Sequence, residues 1–173
     1  MPTLFLDRDG VINRESRDFI RGPDDWVPIE GSLQAIAQAQ QHGFRILVIS
    51  NQSGLGRGLF GIRELNRIHA RMQNELANLG ARVEAFFFCP HVPDAGCGCR
   101  KPLPGLLLDA GQRLGIDLSK TTLIGDRETD AAAALSAGVR AMLVETGQHA
   151  LQNSTKVPVH KNLAAAVESL LHC

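Results

Sequence analysis

Leu4-Phe5-Leu6-Asp7-Arg8-Asp9-Gly10-Val11-Ile12-Asn13 is a short apolar run that ends in two carboxylates spaced one residue apart, then a glycine. The run Leu4 to Leu6 reads as a buried strand with Asp7 at its carboxyl end. Ligands of open α/β sheets bind in the crevice outside the carboxyl ends of the strands. A carboxylate placed there is costly unless a cation or a hydrogen-bond network holds it. An acidic turn with Asp9-Gly10 as its tight bend explains the same residues without any function. The choice between the two rests on what the other strand ends carry.

Outward from this stretch, strand and helix patterns alternate. A polar connection from Arg14 to Glu30 holds the only tryptophan, Trp26, and is long enough to suggest a functional flap with Trp26 as its packing anchor. Ser32 to Gln41 reads as a helix with Leu33, Ile36 and Ala37 on one face, and Phe44 to Ile49 as a doubly covered parallel strand. Ile62, Leu65, Ile68, Met72, Leu76 and Leu79 recur at helical spacing and are expected in the core, with His69 beside them in a packing or surface role. Val83 to Phe88, Thr121 to Ile124 and Arg140 to Val144 read as further strands. Helices are expected from Pro104-Gly105 to about Leu114, across Ala131 to Ala137, and from Leu163 to Leu171, with a loop from Gly147 to Pro158. The alternation predicts one α/β domain over 1–173, doubly wound on a parallel, Rossmann-like sheet.

Three later strand ends carry chemistry. Ser50-Asn51-Gln52-Ser53-Gly54, then Gly56-Arg57-Gly58, is either a flexible Gly/Ser loop or a cradle whose backbone N–H groups can approach a phosphate. Cys89, His91, Cys97 and Cys99 fall within eleven residues, Pro90 and Pro93 stiffening the loop and Gly96 and Gly98 letting it curl. That donor set can close a tetrahedral Cys₃His zinc site, which with four protein ligands is structural. Arg100-Lys101-Pro102 follows at once, so a rigid zinc loop 89–99 would fix two cations that are otherwise ordinary solvated side chains. Asp126 ends the fourth strand and Asp130 lies in the next helix's first turn, as capping acids or as part of a Mg²⁺ site with Asp7 and Asp9.

Composition narrows the function classes. Lys+Arg and Asp+Glu are both 18 in 173 residues, so no basic field attracts a nucleic acid. No apolar run approaches the length of a membrane span. The first residues enter a strand without a basic stretch or cleavage site, so the cytoplasm is the expected compartment. Clustering of three of the four cysteines beside a histidine points to metal rather than disulfides, and Cys173, the last residue, is expected to fray.

In this order, Asp7-Arg8-Asp9-Gly10-Val11-Ile12-Asn13, Ser50-Asn51-Gln52-Ser53-Gly54, Arg100-Lys101-Pro102 and Gly125-Asp126 resemble the four motifs of the haloacid dehalogenase-like phosphatases, over almost the whole chain. The Cys-Pro-His to Cys-Gly-Cys-Arg-Lys-Pro segment is similar to the zinc-loop group of that family, whose members act on heptose bisphosphates or on histidinol phosphate. Asn-Gln-Ser-Gly with a following Arg-Gly favours the sugar bisphosphate over the histidinol phosphate alternative.

The resemblance implies roles. Asp7 would be the nucleophile that forms an aspartyl-phosphate, and Asp9 the acid and base for leaving alkoxide and water. Mg²⁺ would sit on the Asp7 carboxylate, the Asp9 backbone carbonyl and Asp126, with Asp130 supporting it by hydrogen bonds. Ser50 and the Asn51 amide would hold phosphoryl oxygens while Lys101 balances charge. Arg100 (first), Arg57, Arg127, Gln52 and the stretch from Glu15 to Asp18 are the candidates for the rest of the substrate, arginine suiting a second phosphate. The family often has Lys where this chain has Arg127. No segment is long enough for a separate cap domain, so flap and zinc loop would wall a site for a small sugar bisphosphate in a monomer. A non-catalytic binding module on the same fold would be expected to lack Asp7 or Asp9, and both are present.

Overall fold

The apolar runs become strands and the helical stripes cover them on both sides. In the computed structural model, which describes residues 1–151 and 156–172, the elements are β1 (Thr3–Leu6), α1 (Ser32–Gln41), β2 (Arg45–Asn51), the single turn α2 (Ser53–Gly56), α3 (Ile62–Ala77), β3 (Ala85–Cys89), α4 (Gly105–Leu114), β4 (Thr121–Gly125), α5 (Glu128–Ser136), β5 (Arg140–Val144), β6 (Val159–His160) and α6 (Leu163–Leu171). Every strand pairing is parallel, in the order β3-β2-β1-β4-β5-β6. The order reverses direction at β1 and β4, and in such sheets the ligand crevice opens at that switch point.

Side chains alternate across the sheet as the two-residue period of a strand requires. Leu4, Leu6, Ile46, Val48, Ile124 and Met142 pack with α1, α3 and α6. Phe5, Leu47, Ile49, Leu123, Ala141 and Leu143 face α4 and α5. Both faces are therefore dry, which is why the strands read as unbroken apolar runs. Among the described residues no helix is long and apolar enough to cross a membrane.

Three expectations shift. β2 runs on through Ser50 and Asn51, because Ser50 and Asn51 stay in register with Phe88 and Cys89 of β3. β3 starts two residues late. The Gln73 side chain accepts from Val83 N at 2.9 Å and donates to Val83 O at 2.7 Å, so α3 takes the place of the ladder there. β6 was invisible to periodicity because it is two residues long and is defined only by pairing with Leu143 and Val144. In α3, Leu65, Ile68, Met72 and Leu76 are fully buried, but Ile62 and Leu79 at the stripe's ends are 53% and 37% exposed and lie outside the core. His69 packs flat on Phe86 with ring centroids 4.0 Å apart. The expected loop from Gly147 to Pro158 is described only at its two ends, and Cys173 lies outside the described residues.

The flap is tied down at Trp26. That side chain is fully buried, and the Arg71 guanidinium from α3 lies 5.6 Å from its ring centroid and also donates to Pro23 O.

Candidate active site

Strands β1, β2 and β4 end together, and the residues just past their ends meet. Asp7 follows β1, Asp126 follows β4, and Asp130 stands one turn into α5. Their carboxylate oxygens lie within 4.8 Å of one another. Lys101 Nζ sits against two of them, 3.0 Å from Asp7 Oδ1 and 2.6 Å from Asp130 Oδ1, and donates to Ile49 O at 2.8 Å. Asp130 also caps α5: its Oδ2 accepts from the N–H groups of Asp126 and Arg127 at 3.2 and 3.1 Å. Asp130 is thus a capping acid that also lies in the carboxylate cluster.

Glycines make room for Asp126. Gly10 takes φ +86°, a left-handed conformation, and a Cβ there would come within 2.5 Å of Asp126 Oδ2. A Cβ at Gly147 would collide with the same carboxylate. Asp126 is fully buried, and neither of its oxygens has a hydrogen-bond partner among the described residues. Buried carboxylates without donors are costly, and a divalent cation is the partner this donor set suits. Burial, reinforced by Asp7 and Asp130 nearby, pushes the Asp126 carboxyl up to about 8. Burial likewise raises Asp7, to about 6, against the opposing pull of Lys101. Lys101 itself is buried, which works against its charge, yet Asp130 and Asp7 outweigh that and raise its pKa. One buried ammonium offsets part of the repulsion among the three acids, and an anion could join the cluster only together with a cation.

Asp9 is two residues from Asp7 but faces a different environment. Its carboxylate accepts from Arg8 Nε and Nη2, Asn13 Nδ2 and Gln52 Nε2, all between 2.8 and 3.1 Å. Burial pushes its pKa up, but Arg8, Asn13 and Gln52 outweigh it and the net shift is downward. Ser50 is buried and accepts from the same Gln52 amide at 2.9 Å. Asn51 uses its side chain on the backbone of Lys101, accepting from Lys101 N at 3.1 Å and donating to Lys101 O at 3.2 Å. This bidentate link locks the residue after the zinc loop to the end of β2.

Above these groups opens a cavity of about 550 Å³. Asp7, Asp9, Asn51, Gln52, Arg100, Lys101, Arg127 and Glu15 line it. Asp126 and Ser50 lie buried rather than in the lining. Arg57 and Asp18 do not reach it and are exposed. Arg127 is not a free cation: it pairs with Glu15, which also accepts from Gln148 N at 3.0 Å. Flap and α5 are thereby clamped by charge. Arg100 is the arginine of the zinc loop's exit, its Nη1 donating to His91 O at 3.4 Å.

In the loop after β3, Cys89, His91, Cys97 and Cys99 bring their ligand atoms within 4.8 Å of one another. The three thiols are free of disulfides. Burial, with hydrogen bonding to Cys99, pushes the Cys89 thiol up to about 12. For Cys97, burial acts upward but the Arg100 N–H and the neighbouring thiols prevail and lower it to about 6. Three sulfurs and an imidazole converging on one point form a closed site that suits structural Zn²⁺.

Sequence reasoning missed Arg8 and Asn13, which hold Asp9, although both stand in the stretch that decided the fold. A signal existed: an arginine between two aspartates at a buried strand's end needs an internal acceptor. It also missed Phe19, Gln148 and His149 in the cavity wall. Phe19 adopts φ +64°, unusual for a non-glycine residue, and no sequence pattern marks it.

A HAD-hydrolase-like family model matches residues 98–172. The D-glycero-beta-D-manno-heptose-1,7-bisphosphate 7-phosphatase of Bordetella bronchiseptica is 45% identical, across 99% of this chain and 98% of its own length. This chain belongs to the heptose-1,7-bisphosphate 7-phosphatase family. A relative with the same name from Pseudomonas aeruginosa is 41% identical over 97% of each chain. The crystal structure of D,D-heptose 1,7-bisphosphate phosphatase from B. bronchiseptica, complexed with magnesium and phosphate, superposes with a TM-score of 0.92 at 44% identity and covers 99% of each chain. The haloacid dehalogenase-like fold expected from the motifs is thus the fold of a heptose phosphatase family member.

Proposed function

We propose that the whole chain, 1–173, works as one phosphatase domain that removes the C7 phosphate of D-glycero-D-manno-heptose 1,7-bisphosphate, for activated-heptose and lipopolysaccharide precursor synthesis. The observation that carries this reading is the buried Lys101 ammonium, held by Asp7 and Asp130 beside the donor-free Asp126, under a cavity edged by Arg100. Family membership supplies the sugar: relatives at 40–45% identity carry that substrate in their names.

The chain's residues divide the work. A carboxylate oxygen of Asp7 attacks phosphorus, and the bond from phosphorus to the sugar oxygen breaks. Asp9 gives its proton to the departing alkoxide, then takes one from the water that cleaves the aspartyl-phosphate and frees orthophosphate. In the free protein Asp9 is held ionised by three side chains, so it acquires the proton only in the substrate complex. Lys101 stabilises charge on the phosphoryl oxygens, aided by Ser50 and the Asn51 N–H. Arg100 receives the second phosphate. Asp7, Asp126 and the backbone carbonyl of Asp9 would hold Mg²⁺, which when bound screens nucleophile from phosphate and polarises the phosphoryl group. The four zinc ligands would fix the loop that delivers Arg100 and Lys101. The reading extends to a monomer in the cytoplasm, where thiols stay reduced.

The test is orthophosphate release from heptose 1,7-bisphosphate and from histidinol phosphate, with Mg²⁺ and with EDTA. Strong Mg²⁺-dependent preference for the bisphosphate is expected. Preference for histidinol phosphate would overturn the substrate and the role of Arg100 together.

A further inference from the structure

Gln52, named above among the candidates for the rest of the substrate, has its amide engaged by Arg8, Asp9 and Ser50, and these partners leave it one arrangement. Arg8 is fully buried and can only donate. Its Nη2 stands 3.3 Å from the Gln52 amide oxygen. An amide turned the other way would set N–H against N–H there, so Arg8 assigns the orientation. The Gln52 NH₂ group must then face away from Arg8. Its two protons go to Asp9 Oδ2 at 3.0 Å and to Ser50 Oγ at 2.9 Å.

The consequence for Ser50 is chemical. A hydroxyl has one proton and accepts through its lone pairs. Because Gln52 donates to Ser50 Oγ, the hydroxyl cannot turn its own proton toward that amide. The proton is left for an acceptor on the other side. Asn51 and Gln52, the two residues that follow Ser50, both line the cavity. We infer that Gln52 is a positioning residue: with its amide fixed by Arg8, it orients the Ser50 hydroxyl as a donor to a phosphoryl oxygen while it holds the Asp9 carboxylate in place. This rests on the reading of Ser50 as a phosphoryl-binding group, and adds the residue that sets its polarity.

The test is a double-mutant cycle on binding, which separates the part of the effect that passes through the Ser50 hydroxyl. Inorganic phosphate is titrated calorimetrically into the full Mg²⁺- and Zn²⁺-loaded chain, for the native protein, Gln52→Glu, Ser50→Ala and the double variant. In Gln52→Glu a carboxylate accepts the Ser50 proton, so the hydroxyl no longer serves phosphate. The direct repulsion of the new charge acts equally with and without the hydroxyl. We expect about a tenfold loss of affinity from Gln52→Glu in the native background and less than about threefold in the Ser50→Ala background. Equal losses in both backgrounds would overturn the inference and leave the reading of Ser50 intact. Phosphate affinity unchanged in Ser50→Ala would overturn that reading and the inference with it. Gln52→Met, of similar shape and without a charge, guards against misfolding of the first variant. It should melt near the native temperature and weaken phosphate only when Ser50 is present; weakening it as much in Ser50→Ala would again overturn the inference.

Discussion

Among the described residues, three or four ligating side chains converge in two places, and these are built by different means. Asp7 comes from one strand end, and Asp126 and Asp130 from another strand end and the helix start after it, more than a hundred residues later; all three are buried. Cys89, His91, Cys97 and Cys99 come from one loop, where only Cys89 is buried. The pairing of β1 with β4 brings the acids together, and Lys101 offsets part of their repulsion. The thiol loop is held more lightly: Cys89 lies in the core, Cys97 and Cys99 are only partly buried against it, and backbone hydrogen bonds reach it at Cys89, Pro90 and Gly98. For the acids the fold makes the site; for the thiols the metal would make the loop. The two are joined through Arg100 and Lys101, so breaking each in turn should give different signatures.

The largest effect is expected at the acid site. Asp7→Asn keeps the hydrogen-bonding shape and removes the nucleophile, and turnover should fall by about 10³-fold or more. Because pairing of β1 with β4 positions this residue, the melting temperature should stay near native. Substantial residual turnover would remove Asp7 as the nucleophile. A collapse in stability would show that the acids hold the sheet rather than the reverse.

The thiol site should give the opposite pattern. Cys99→Ala removes one of four ligands, and bound zinc per chain, counted by metal analysis, should drop to near zero. Activity should fall at least about tenfold, because the bidentate hold of Asn51 on Lys101 survives while the loop that aims Arg100 does not. Circular dichroism should show the secondary structure largely unchanged, since Cys99 is only partly buried against the core. Full activity in a zinc-free protein would make the loop an ornament and leave the β2 link as the sole support of Lys101.

What the sequence disclosed follows the same division. The strands β1, β2, β4 and β5 and the helices α1, α4 and α6 were legible because each carries its own periodicity or capping signal. The zinc ligands were legible because their spacing is local. Asp126 and Asp7 could be suspected at strand ends, but their approach is a property of sheet order, which no window of residues contains. Arg8 illustrates the limit. Its charge suggests solvent, and its full burial becomes intelligible once the Asp9 carboxylate and the Gln52 amide oxygen are seen to accept from its guanidinium. Arg127 shows the complementary limit: its pairing with Glu15, 112 residues away, belongs to the fold and to no local pattern.

A pH dependence sharpens the account of the acids. The Asp7 and Asp126 carboxyls are raised in the metal-free protein to about 6 and about 8. Their unfolded values lie near 4. Between those limits the folded state binds more protons than the unfolded one, so metal-free stability falls as pH rises from about 4 to about 8. A cation must displace these protons, so Mg²⁺ should bind more tightly at pH 8 than at pH 6. Thermal shift with Mg²⁺ at the two values checks both halves: the metal-free melting temperature should be lower at pH 8 and the rise on adding Mg²⁺ larger. A rise independent of pH would mean that the acids are already ionised and the cluster is less desolvated than its geometry implies.

The smallest effect is expected where the flap meets the site. Glu15 is held by Arg127 and by Gln148, and Arg127 Nε lies 3.7 Å from Asp126 Oδ2. Glu15→Gln keeps the hydrogen-bonding shape but releases Arg127 from its charge partner. The pair is only partly buried and Gln148 still holds the substituted side chain, so the melting temperature should fall only slightly. The freed guanidinium can then follow either Asp126 or a substrate phosphate. If it follows Asp126, it competes with the cation, and the Mg²⁺ concentration for half-maximal activity should rise a few-fold. If it follows the substrate, KM for the bisphosphate should fall instead with Mg²⁺ dependence unchanged. The shorter route and the fully buried, donor-free state of Asp126 favour the first outcome. Glu15 would then act on the acid cluster from outside it, by keeping an arginine occupied.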